Sequence, residues 1–265
     1  MHRLLALLCV TFLWLAATQA SGQTVHAIIV GNSLDGQIGP GVTENLKNMS
    51  GLLTSLDIVG EITVVKTEVS GADFSCKSIL QVVDKLEIKP ADTVLFYYAG
   101  HGVGAPKISK FPEFACDDPP TGVQIGLKTI QDRIAKKKPH FLLAIADACN
   151  VPEGPAAAAR PQFTPPPQPE RKAALRHLFL DYTGFLLMSG SIPGQYSWYI
   201  NTGETVGGYF TLQLLGAVNG QIAAKGARAR WEDIAPAATK LIKVPTKPPI
   251  NQKPQFQLLA KAKPQ

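Results

Sequence analysis

Residues 92–102 read DTVLFYYAGHG: an acid, six β-branched, apolar and aromatic residues, then Ala99, Gly100, His101 and Gly102. The apolar run is continuous rather than alternating, which predicts a strand buried on both faces. Two other stretches have the same character, Thr24–Gly31 (TVHAIIVG) and His140–Ala146 (HFLLAIA), and Ile58–Lys66 reads as a further strand. Between them the apolar residues step by three and four. Val42, Leu46, Met49, Leu53 and Leu56 predict a helix over 41–56. Cys76, Ile79, Leu80 and Val83 predict a second, capped by Asp73 or Ser75, and Ile130 with Ile134 a short third. Residues 102–127, with four prolines, read as loop. Strands alternating with helices in this way predict an α/β chain with a mainly parallel central β-sheet covered by helices on both faces.

Beyond residue 151 the composition changes. Residues 152–169 hold seven of the 21 prolines and four consecutive alanines, a stretch too proline-rich for a core element. Thr183–Ser189 (TGFLLMS) predicts a fifth strand, Gly208–Val218 a helix, and Trp231, Ile234, Ala238 and Leu241 a last helix entered or kinked near Pro236. Residues 243–265 read as irregular Lys/Pro-rich chain. With too few strands for a sheet of its own, the later part is expected to complete the same domain. The expected organisation is a leader at 1–20, a large part at 21–150, a linker at 151–176 and a small part at 177–265.

The leader combines a cationic start (Arg3), an apolar run from Leu4 to Ala17 and small residues up to Ala20. This layout predicts a cleaved signal peptide and a secreted or periplasmic protein, without stable membrane insertion once the signal is removed; an uncleaved anchor is the alternative. The formal charge is +6. Six of the 26 basic residues lie beyond residue 235, where no acid occurs, and Arg3 is in the leader. The remaining 19 cations face 20 acids. Basicity is thus a property of the tail and does not argue for a nucleic-acid partner.

In a parallel sheet, functional residues gather beyond the carboxyl ends of strands. Here one strand runs into Gly100-His101-Gly102 and the next into Asp147-Ala148-Cys149. If these strands are neighbours, imidazole and thiol share a cleft, and a nearby histidine can take the proton of an attacking thiol. The backbone N–H groups of Gly102 and Cys149 are the candidate oxyanion donors. Each residue alone has a plain alternative, a buried small side chain for Cys149 and a hydrogen-bonding turn for His101. Among the other cysteines of the exported chain, Cys76 and Cys116 either pair as a disulfide or are simply buried. His26, His140 and His177 read as structural. No Gly-rich phosphate turn follows the first strand, which argues against a flavodoxin-like cofactor binder.

The segment Ala99–Gly102 followed by Asp147–Cys149, together with Gly207-Gly208-Tyr209-Phe210-Thr211 and Asn251-Gln252-Lys253-Pro254, resembles the caspase-like cysteine peptidases, specifically their bacterial metacaspase-type branch, over about residues 24–260. The resemblance implies a caspase-like sandwich with His101 as general base, Cys149 as nucleophile and a peptide or protein substrate. Asn150 departs from the animal pattern, so specificity for aspartate is not implied. The metacaspase-type branch implies cleavage after Arg or Lys, with Asp147 and Asp35 lining the pocket. For Asp147 a structural cap, and for Asp35 a plain turn, remain open. No cofactor is expected, although Asp117-Asp118 could bind Ca²⁺ or form a solvated turn. Self-processing is expected in the proline-rich linker, at Arg171, Lys172 or Arg176 rather than at Arg160, which precedes Pro161. The rival readings are a catalytically silent binding module and a legumain- or gingipain-like peptidase.

Overall fold

The computed structural model describes residues 22–57, 62–116, 125–151, 168–201, 206–246 and 248–263. The leader, Asp117-Asp118 and residues 152–167 of the linker lie outside them. In chain order the elements are β1 (Thr24–Gly31), α1 (Gly39–Asp57), β2 (Thr63–Ser70), α2 (Cys76–Lys85), β3 (Thr93–Ala99), β4 (Gly102–Val103), β5 (Glu113–Phe114), α3 (Leu127–Ala135) and β6 (Phe141–Asp147). They continue with α4 (Gln168–Leu180), β7 (Tyr182–Ser189), β8 (Tyr199–Asn201), β9 (Val206–Gly208), α5 (Tyr209–Lys225), α6 (Trp231–Ala238), β10 (Ile242–Val244), β11 (Ile250–Gln252) and β12 (Gln255–Ala262).

Six strands form the central sheet in the order β12-β7-β6-β3-β1-β2. All neighbours are parallel except β12, which runs antiparallel to β7 over eight residue pairs. The strands β1, β3 and β6 are apolar on both sides because helices cover both. Leu95, Tyr97, Phe141, Leu143 and Ile145 face one layer, whose core also takes in Leu46 and Met49 of α1, Leu178 of α4, Phe210 of α5 and Trp231 of α6. The alternate residues Phe96, Tyr98, Leu142 and Ala144 face Ile79 and Val83 of α2 and Ile130 and Ile134 of α3. Full burial of one such side chain contributes about 1.5–3 kcal/mol. That two-sided burial is the physical source of the unbroken apolar runs.

Four expectations need correction. The second strand is Thr63–Ser70 rather than Ile58–Lys66. It is an edge strand, mostly exposed, so its register follows main-chain pairing with β1 and not its most apolar window. Residues 168–176, assigned to the linker, are helical: Ala174, Leu175, Leu178 and Phe179 bury one stripe, and Pro169 lies in the first turn, where a missing N–H is tolerated. The tail is not irregular. It supplies β10, β11 and the sixth main strand, β12, whose main chain is held by β7 while its side chains are largely half-exposed. The segment read as loop after residue 102 also carries the short β4–β5 pair.

Candidate active site

β1 leads to β2 on one side of the sheet and then to β3 on the other, so the order in which strands are added reverses between β1 and β3. Crevices form beyond the carboxyl ends of strands at such a point. Asp35 follows β1, His101 follows β3 and Cys149 follows β6, three adjacent strands. Ala99 pairs with Asp147, and beyond the strand ends Val103 bridges Val151 in the same sense. Both pairs have the sequence offset that separates His101 from Cys149. The imidazole and thiol residues therefore sit side by side on neighbouring segments, at the roughly 4.8 Å spacing of paired strands.

His101 is fixed from three directions. Its carbonyl accepts from the Tyr98 hydroxyl at 2.7 Å and from the Ala115 N–H at 3.1 Å. Its Nε2 lies 3.1 Å from Asp35 Oδ2. The other oxygen of Asp35 accepts the N–H groups of Gln37 and Ile38 at 2.8 and 2.9 Å, just before α1. Partial burial pushes the Asp35 carboxyl up, but the Ile38 and Gln37 N–H groups and then His101 outweigh it, and the net shift is downward. Asp35 was expected either to line a substrate pocket or to form a turn. It forms the turn and also holds the imidazole.

The Cys149 thiol is partly buried and donates to the Ser197 carbonyl at 3.5 Å. Burial raises its pKa, the contact with Ser197 lowers it and the Asp147 charge raises it, with a net upward shift. Burial thus favours the neutral thiol over the thiolate at Cys149. Gly102, the other expected oxyanion donor, lies against the Cys149 carbonyl, where a Cβ would collide.

Asp147 is fully buried. Its carboxylate accepts from Ser197 Oγ (2.6 Å) on one oxygen, and from Thr211 Oγ1 (2.6 Å), Thr211 N (3.1 Å) and Asn45 Nδ2 (3.2 Å) on the other. Thr211 is the third residue of α5, so Asp147 satisfies an otherwise free N–H at that helix's start. A side chain at Gly208 would strike the carboxylate, which is the physical need for glycine there. Burial pushes Asp147 up, and the Ser197, Thr211 and Asn45 donors only partly offset it. The cap anticipated as the alternative for Asp147 is therefore present, and its four donors are all uncharged.

Cys76 and Cys116 form a disulfide, leaving Cys149 as the free thiol among the described residues. His26 and His177 pair with Asp92 and Asp181 at 3.1 and 3.2 Å, in keeping with structural roles. Among the described residues no group of three metal-ligating side chains occurs. The partners Ser197 and Asn45 carried no signal in the sequence. Gly208 and Thr211 did, as part of the Gly207-Gly208-Tyr209-Phe210-Thr211 stretch.

The family model described as "Caspase domain" matches residues 24–257. Among solved structures, a caspase-1 from Spodoptera frugiperda superposes with a TM-score of 0.53 at 16% identity, covering 89% of this chain and 86% of that one. No curated protein matches the sequence.

Proposed function

The chain belongs to the caspase-domain family, and from that premise we propose that it is an exported cysteine endopeptidase cutting peptide bonds after Arg or Lys. The observation that carries the reading is the shared register of Ala99–Asp147 and Val103–Val151, which flanks His101 and Cys149. With Asp35 at Nε2, that nitrogen carries the proton and Nδ1 offers its lone pair. Substrate entering the cleft displaces the thiol from the Ser197 carbonyl. Nδ1 then takes the thiol proton as sulfur attacks the scissile carbonyl, and Asp35 stabilises the resulting imidazolium. The imidazolium returns the proton to the leaving amine, leaving an acyl-enzyme that water hydrolyses by the same route. The N–H groups of Gly102 and Cys149 are assigned to the developing oxyanion.

The preference for a basic side chain rests on charge. The buried Asp147 carboxylate is met only by neutral donors, so its charge leaves a negative field beside Cys149 that favours a guanidinium or ammonium in the cleft. Export is supported by the pattern of residues 1–20 and by a disulfide, which persists in oxidising compartments. The proposed steps use protein groups alone, and a hydrolysis rate that rises on adding Ca²⁺ would assign a role to Asp117-Asp118. Self-processing at Arg171, Lys172 or Arg176 requires α4 to unwind first, because a protease binds its substrate extended.

The test is hydrolysis of fluorogenic Arg, Lys, Asp and Asn peptides by wild type, Cys149→Ala and His101→Ala. Turnover of the basic peptides, lost in both variants, is expected. A preference for Asn would favour the legumain-like reading. The resting thiol on Ser197 fits a silent binding module as well, and peptide binding without turnover in wild type would select it.

A further inference from the structure

Tyr98, near the end of β3, is fully buried in the layer that faces α2 and α3. Its ring stacks on Phe114 of β5, with centroids 3.9 Å apart and planes within 7° of parallel. That packing fixes where the phenol oxygen lies, and the hydroxyl donates to the His101 carbonyl at 2.7 Å. Gly100 makes the contact possible, because a Cβ there would come within 2.7 Å of the Tyr98 hydroxyl. The same carbonyl accepts the Ala115 N–H at 3.1 Å. Burial pushes the Tyr98 pKa well up, and negative charge on Cys149 or Asp35 pushes it further. The phenol therefore remains a donor when the thiolate forms.

A trans peptide is planar, with its C=O and N–H pointing in opposite directions. Holding the His101 carbonyl towards Tyr98 and β5 therefore aims the Gly102 N–H away from β5. On that side runs the segment that follows β6. Gly104, two residues on, donates its N–H to the Val151 carbonyl at 3.1 Å, and residues two apart in extended chain direct their N–H groups to the same side. Gly102 itself lies against the Cys149 carbonyl and the Ala148 side chain. The Tyr98 hydroxyl thus acts, through one rigid peptide unit, on the donor that faces Cys149.

We propose that Tyr98 is a positioning residue for transition-state stabilisation: its hydroxyl, by holding the His101 carbonyl, orients the Gly102 N–H towards the oxygen of the tetrahedral intermediate. This role rests on the peptidase reading above. It concerns the oxyanion and not the proton path, because Asp35 orients the imidazole separately at Nε2.

The test compares wild type with Tyr98→Phe, which keeps the ring on Phe114, and with Gly100→Ala, which keeps the phenol but displaces its hydroxyl. Each is checked for its melting temperature and assayed on whichever of the Arg, Lys, Asp and Asn peptides wild type cleaves fastest. Two inhibitors share that peptide sequence. The aldehyde adds the thiol across its carbonyl, sulfur to carbon and proton to oxygen, and so places an oxygen at the oxyanion position; the alcohol forms no adduct. In both variants kcat is expected to fall about tenfold and the aldehyde to bind about tenfold more weakly. KM, alcohol affinity and the pH midpoint of Cys149 alkylation by iodoacetamide are expected to stay within about twofold or its equivalent in pH, since a positioning residue leaves ground-state binding alone. Unchanged kcat in both variants, equal weakening of aldehyde and alcohol, or a shifted alkylation midpoint each overturns the role of Tyr98 alone. Failure of wild type to cleave any of the peptides overturns the peptidase reading and this role with it.

Discussion

Asp35 decides how the imidazole can act. Its carboxylate lies on Nε2 of His101 and is itself held by two N–H groups ahead of α1, so ring orientation and tautomer are set before substrate arrives. Asp35→Asn is expected to lower kcat about ten- to hundredfold with little change in KM, and to shift the acid limb of the kcat profile. An acid that merely lined the substrate pocket would instead raise KM for Arg peptides alone. Because the Asp35 pKa is lowered, its contribution to stability is present above the ordinary carboxylate range and is lost as pH falls through the lowered value. The thiol has the opposite sign. Burial keeps Cys149 protonated, so the stability of that neutral state is present below the ordinary thiol range and is lost as pH rises beyond the raised value. Iodoacetamide alkylation of the free enzyme is expected to reach its midpoint above that of a free cysteine; a midpoint at or below it contradicts a resting neutral thiol. The positions of His101 and Cys149 just past the ends of β3 and β6 were legible from residue type and spacing. The Asp35 contact was not, since nothing local to Leu34-Asp35-Gly36 indicates a partner after β3.

The elements hold this site by cross-links of different kinds. The disulfide ties the first residue of α2 to Cys116, just beyond β5. Phe114 of β5 stacks on Tyr98 at 3.9 Å, and Ala115 donates to the His101 carbonyl. Replacing Cys76 and Cys116 by serine is expected to cost about 2–4 kcal/mol, read as a lower urea midpoint in a Cys149→Ala background, and to reduce turnover in the active enzyme. An unchanged midpoint would mean that packing alone holds β5. On the opposite side of the cleft, Asp147 joins β6 to the start of α5 through Thr211 and to the segment before β8 through Ser197. Asp147→Ala leaves these donors unsatisfied in the interior, and a loss of about 2–5 kcal/mol is expected in the same measurement. A cost under about 1 kcal/mol, the size of an ordinary surface change, would contradict this structural role. Helix α4 escaped the sequence reading because its prolines are concentrated ahead of and within the first turn, where they do not disturb a helix.

At the level of the molecule, the last strand closes the sheet. β12 pairs with β7 along eight residues and covers an edge that would otherwise present unpaired main chain. Ending the chain after Pro254 is therefore expected to give aggregated protein by light scattering, whereas a monomeric, folded product would show that β7 is protected in another way. The sequence by itself determined the layered α/β architecture, because strands covered on both faces must be apolar at every position and helices covered on one must step by three and four. It also placed His101 and Cys149 at strand ends, because glycine and small residues there interrupt an apolar run. Only the tertiary structure decided that β3 and β6 are neighbours in matching register, that a Lys/Pro-rich tail becomes a main strand, and that Asp35 and Asp147 do different work. Each of those outcomes depends on main-chain pairing or on a buried polar contact between distant segments, and such partners leave no periodic trace in composition.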